Sequence, residues 1–156
     1  MSKLLPYNQF VVSRPSEIYY VLKSDGPDAE AVGKAFGVAG HLASQSTKQL
    51  VIAAIETKTT LDIFRDVVND AFVDALVKKK QVGVSFNNVD CTVFLRTRRI
   101  AERGFTSGPI LALHLPPKDM AGVLADPRAT SVVYIPWVQE ELKELLRLQP
   151  NAKPVD

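Results

Sequence analysis

The chain is poor in the residues that most specialised chemistries require. It has one cysteine, Cys91, and two histidines, His41 and His114, among 156 residues. A single thiol cannot close an internal disulfide, and a structural zinc site needs about four Cys or His ligands, so neither cross-link nor metal is expected within one chain. Long apolar runs are missing too. The oiliest stretches, LVIAAI and ILALHL, fall far short of the roughly 20 residues that span a membrane. Net charge is only +2, too small to commit the chain to nucleic acid through bulk electrostatics. No G-x-G-x-x-G follows the first apolar strand, which excludes a standard dinucleotide fingerprint. Gly33-Lys34 does not complete a phosphate-binding P-loop, because Asp28 and Ala35 stand where that pattern needs Gly and Ser or Thr. The G-x-S-x-G elbow of an α/β-hydrolase is absent as well.

What is present is ordinary for a globular domain. Hydrophobic residues make up 46% and charged residues 23% of the chain, and a chain of this size buries roughly 70% of its unfolded surface without covalent staples. Residues 1–156 are expected to form one domain, with 1–16 and 151–156 loosely ordered. The opening MSKLLPYNQFVVSRPS lacks the apolar core of a signal peptide, so a reducing, cytoplasmic location is expected.

Strand and helix patterns alternate along the chain. Phe10–Val12 could form a short edge strand, and Ile18–Leu22 reads as the first clear one. Ser24 or Asp25 then supplies a cap for a helix running to about Ser44. Gly33, Gly37 and Gly40 make one side of that helix small enough to lie close on a sheet. Leu50–Ile55 is continuously apolar, as a strand buried on both faces should be. A long periodic helix with Leu61, Phe64, Val68, Phe72 and Leu76 inward follows, starting near Thr59 and ending in Lys78-Lys79-Lys80, where cations favour the helix dipole. Asp62, Asp66, Asp70 and Asp74 recur every four residues and mark its solvated face. Val82–Phe86 and Val89–Leu95 alternate around Asn87-Asn88, the signature of a tight hairpin, with Cys91 on its apolar side. Ile110–Leu115 and Ser131–Ile135 are two further buried-type strands, each followed by a short amphipathic helix, and 151–156 reads as a frayed tail.

This order predicts an α/β fold: a single three-layer, Rossmann-like domain with a mainly parallel sheet of five to six strands plus a β-hairpin. Such sheets bind ligands beyond the carboxyl ends of their strands. The groups that follow each strand are therefore the candidate ligand-binding residues: Ser24 and Asp25, then Glu56, Lys58 and Thr59, then Arg96 and Arg98, then His114, and finally Trp137. Helix amino termini aimed at the same rim favour an anion, which points to a nucleotide or phosphorylated metabolite. In the segment Arg96–Gly108, Arg96, Arg98, Arg99 and Arg103 meet only Glu102, and guanidinium forks suit phosphate while Phe105 could stack on a base.

Three functions are consistent with these residues. The first is a small-molecule binding domain using the strand-end rim. The second is a non-catalytic protein-interaction or accessory module, homodimeric through an apolar patch. The third, disfavoured by the low net charge, is a weak nucleic-acid binder. No nucleophile is paired with a base, so the residues assign no reaction and no cofactor, and no membrane partner is expected.

Overall fold

The computed structural model describes residues 17–22, 27–56 and 60–155. In chain order the elements are β1 (Glu17–Tyr20), α1 (Ala29–Ser44), β2 (Gln49–Ala53), a 3-10 turn (Thr60–Ile63), α2 (Phe64–Val67), α3 (Asp70–Lys79), β3 (Gln81–Phe86), β4 (Val89–Arg96), β5 (Gly108–Leu113), α4 (Pro117–Leu124), β6 (Ala129–Ile135), α5 (Gln139–Leu148) and β7 (Lys153–Pro154). They build a mixed α/β fold around one seven-stranded sheet of order β3-β4-β2-β5-β6-β1-β7. Every neighbouring pair is parallel except the β3–β4 hairpin.

The three continuously apolar segments form the centre of this sheet. Val51 lies beside Ile110, and Ile110 beside Val132, all running the same way. Their side chains alternate between two apolar clusters, one on each face. Leu50, Ile52, Leu111 and Val133 pack with Val32, Phe36 and Ala39 of α1, Phe64 of α2 and Phe72 and Leu76 of α3. Val51, Ile110, Val132 and Tyr134 pack with Met120 and Val123 of α4 and Leu142 and Leu145 of α5. The crossover toward β2 through α1 uses the first face; those toward β6 and β7 through α4 and α5 use the second. One crossover hand requires this arrangement.

Several local expectations need correction. The seven-stranded sheet includes one strand that no segment of the sequence suggested. The addition is β7, in the tail expected to fray, where Lys153 and Pro154 lie beside Tyr19 and Tyr20 and Val155 N donates to Tyr20 O at 2.9 Å. The cap of α1 is Asp28, whose Oδ1 accepts from Ala31 N at 3.1 Å; Ser24, Asp25 and the segment Phe10–Val12 lie outside the described residues. Gly40 is the helix glycine with a steric reason, since a Cβ there would meet the Phe86 ring at 2.1 Å. The long second helix is broken. Val68 leaves the helical region and the Asn69 side chain accepts from Phe72 N at 2.8 Å, restarting the helix as α3. An Asn side chain competes with the helical ladder in this way wherever it can cap instead. The hairpin is as read, with Asn87 and Asn88 at φ 53° and 65°. Among the described residues no helix is long and apolar enough to cross a membrane.

Candidate functional site

After β2 the chain turns toward the β3–β4 hairpin, whereas after β5 it turns toward β6. These two strands are neighbours, so their onward connections diverge and leave a crevice at their carboxyl ends. A cavity of about 730 Å³ occupies this place. Ile55 beyond β2, His114 and Pro116 beyond β5, and Trp137 beyond β6 line it from the sheet. Pro27 and Ala29 at the start of α1, and Thr60, Asp62, Ile63 and Asp66 of the turn and α2, close it from one side, with Glu141 of α5 near Trp137.

His114 is the most constrained residue of the crevice. Its backbone takes a left-handed conformation at φ 54°, uncommon for a residue with a Cβ, and its N–H is held by Ile135 O at 2.8 Å. The residue is 8% exposed, and its Nε2 is buried with no hydrogen-bond partner among the described residues. Burial pushes its pKa down to about 4, so the ring is neutral at physiological pH. The Trp137 indole meets it edge to face, with centroids 4.8 Å apart at 80°. Trp137 itself is 44% exposed and forms the outer wall.

Helix amino termini do point at this rim, and those of α1 and α5 already carry carboxylates of the chain itself. Asp28 caps α1. Glu141 Oε1 accepts from Trp137 N at 2.9 Å and Val138 N at 3.4 Å at the start of α5. Asp62 and Asp66 occupy the turn and first helix after β2, and Arg65 Nε reaches Asp62 at 3.2 Å from outside the cavity. The charged groups among the described lining residues are carboxylates.

The expected site residues fall into separate places. His114 and Trp137 share the crevice. Glu56 directly follows its Ile55 wall, while Ser24, Asp25, Lys58 and Thr59 lie outside the described residues. Arg96 and Arg98 line a second, smaller crevice of about 210 Å³ against α4, and both are held by carboxylates. Arg98 makes a two-point bond to Asp119 at 3.0 and 2.6 Å. Arg96 makes another to Glu102 at 2.8 and 2.7 Å and reaches Asp126 at 2.6 Å. Arg128 completes a closed lattice, bonding Glu102 at 2.6 Å and Asp126 at 3.0 Å. Burial alone would raise the Asp126 carboxyl, but hydrogen bonds from Arg128 and Arg96 outweigh it and hold the pKa at about 2. Glu102 is likewise pushed up by burial and pulled below its usual value by Arg96. Phe105 is buried against Phe94, with Arg128 5.2 Å above its ring. This segment is a strap across the sheet rather than an open cationic loop.

Among the crevice residues the sequence pattern did not point to are Pro27, Asp62, Ile63, Asp66, Pro116 and Glu141. The usable signal was their position just after strands. It was masked for Asp62 and Asp66 because an unbroken helix would have turned both to solvent. Comparison with known protein families, with curated proteins and with solved structures finds no match for this chain.

Proposed function

We propose that this chain is a small-molecule-binding domain of three-layer, Rossmann-like build, and that its site is the crevice between the ends of β2 and β5. The observation that carries this is the coincidence of a cavity of about 730 Å³ with the place where the crossovers diverge. The ligand we infer has an apolar or aromatic body and is uncharged or cationic. Ile55, Ile63, Pro116 and Trp137 supply apolar walls, three lining carboxylates disfavour a phosphate, and Arg96 and Arg98 are engaged elsewhere. His114 offers a neutral, hydrogen-bonding inner wall. The lone, buried Cys91 suits a reducing cytoplasm.

Trp137 is the chain's one tryptophan, so its fluorescence reports on the site directly. Titration with aromatic amines, their neutral analogues and nucleotides should give saturable quenching by the first two classes and none by nucleotides. Ala29→Phe, which narrows the mouth without touching the core, should abolish it. Absence of saturable quenching across the panel would end this reading. A second reading, a protein contact at the same rim, is favoured by the exposure of Leu22, Trp137 and Val138 at 46%, 44% and 38%.

A further inference from the structure

The two edges of the sheet are built differently. At one end β7 is two residues long and contains Lys153 and Pro154, and short length, charge and proline all discourage a further strand. At the other end β3, Gln81–Phe86, is six residues of QVGVSF, with no charge and no proline. Its register with β4 runs without a bulge from Gln81 to Phe86. None of the usual edge-protecting devices is present in it.

The backbone of β3 is also regular enough to accept a partner. Leu95 N donates to Lys80 O at 3.0 Å. In an antiparallel ladder this turns the backbone groups of Val82, Val84 and Phe86 toward β4 and those of Gln81, Gly83 and Ser85 outward. The side chains of those three outward residues are exposed, while Val82, Val84 and Phe86 are half-buried under the helices. Among the described residues nothing calls for glycine at position 83. Its φ is not positive, and a Cβ there would stand 4.0 Å from the nearest atom, Cys91 O. A strand glycine with no internal cause often marks close approach by another backbone.

We propose that β3 pairs antiparallel with β3 of a second copy of this chain, about a twofold axis through Gly83. Gly83 then faces itself, Gln81 faces Ser85, and Val82 faces Val84 of the second copy. All outward N–H and C=O groups of Gln81, Gly83 and Ser85 become paired, and the two sheets join into one. An antiparallel edge meeting its own copy is self-complementary, as a twofold interface requires. The contact is small, so association depends on concentration.

Sedimentation velocity of the full chain from micromolar to near-millimolar concentration should show a species of twice the 17.2 kDa chain mass growing with concentration. Ser85→Pro removes an outward N–H that β4 does not use, so the monomer should fold with unchanged circular dichroism and dimerise about tenfold or more weakly. Gly83→Lys, which opposes two charges at the axis, should act alike and serves if the proline variant does not fold. Oxidised Gly83→Cys should give a covalent dimer, since facing Cα atoms lie about 5.5 Å apart in such pairs, whereas Ser85→Cys should not. A parent chain of 17.2 kDa at every concentration, or dimerisation unaffected by both edge variants, would overturn the proposal. So would covalent dimer from Ser85→Cys but not from Gly83→Cys.

Discussion

Replacing Glu102 by Gln tests whether the strap of residues 97–107 is held by charge. The Glu102 carboxylate receives Arg96 Nε and Nη2 at 2.8 and 2.7 Å and Arg128 Nη2 at 2.6 Å, and its side chain is 2% exposed. Glutamine keeps the shape but turns an N–H₂ toward arginine donors. Breaking a buried ion pair costs about 3–5 kcal/mol. Two features reduce that here: the Arg128 side chain is 40% exposed and can rehydrate, and Arg96 keeps Asp126 at 2.6 Å. The expected loss is therefore about 2–3 kcal/mol, which for a chain of this size lowers the melting midpoint by roughly 5–10 °C. Urea unfolding followed by circular dichroism at pH 7 measures it. Arg98→Ala is the matched control. It breaks an equally short two-point pair, with Asp119, but the Arg98 side chain is 54% exposed, so water and salt already screen the pair and the midpoint should not move. A Glu102→Gln loss below about 1 kcal/mol, or an Arg98→Ala loss of equal size, would refute the claim that burial and not bond length decides.

Three further outcomes are expected. His114 stays neutral in the folded chain down to about pH 4, against an ordinary value of 6.5, so the unfolded chain binds a proton the folded one refuses between those limits. Stability should fall by up to about 3 kcal/mol as pH drops through that window, and His114→Asn, which tolerates positive φ, should flatten this slope in pH-dependent urea melts. In Gly108→Ala a Cβ would meet Gln49 O at 2.3 Å, a backbone atom that cannot step aside, so thermal melting should show a loss of about 2–4 kcal/mol. Tyr134→Phe removes a buried bond from the hydroxyl to Leu115 O at 2.9 Å and should cost about 1–2 kcal/mol in the same assay.

The parts of the fold that were legible are those decided by neighbours in sequence. Leu50–Ala53, Ile110–Leu113 and Val132–Ile135 carry unbroken apolar side chains because both faces are covered. Asn87-Asn88 shows its turn because few residues tolerate two positive φ angles in succession. The break at Val68–Asn69 was hidden because the periodic apolar positions Leu61, Phe64, Phe72 and Leu76 all stay buried across it. Lys153–Pro154 has no strand character of its own and owes its conformation to the free edge of β1. The partners of the arginines were illegible for a different reason. Asp119 and Asp126 lie 21 and 30 positions from Arg98 and Arg96, and no local pattern links them. His114 and Trp137 do line one crevice at that rim, but the rim rule could not show that Arg96 and Arg98 turn instead toward α4.

That departure follows from the hairpin. Because β3 runs antiparallel, β4 ends at the same rim as β2, with β2 between it and β5. The return to β5 must therefore cross β2 from the carboxyl rim to the opposite end, and it does so on the α4–α5 side, where Phe105 is buried with Phe94. A helix in this crossover would bury its own backbone polar groups and leave charged side chains free. A helix-free strap has no such ladder, so its descent is tied by side chains: Arg96 and Glu102 from the strap region itself, Asp126 and Arg128 from the turn before β6. Placing these charges under cover is tolerable only when each is paired, which draws the acids to the guanidinium groups and engages both arginines with carboxylates. The same topology thus opens the crevice between β2 and β5 and removes two of its expected cations. What it leaves at the mouth is Trp137, apolar side chains and carboxylates, the lining on which the proposed preference for uncharged or cationic ligands over nucleotides rests.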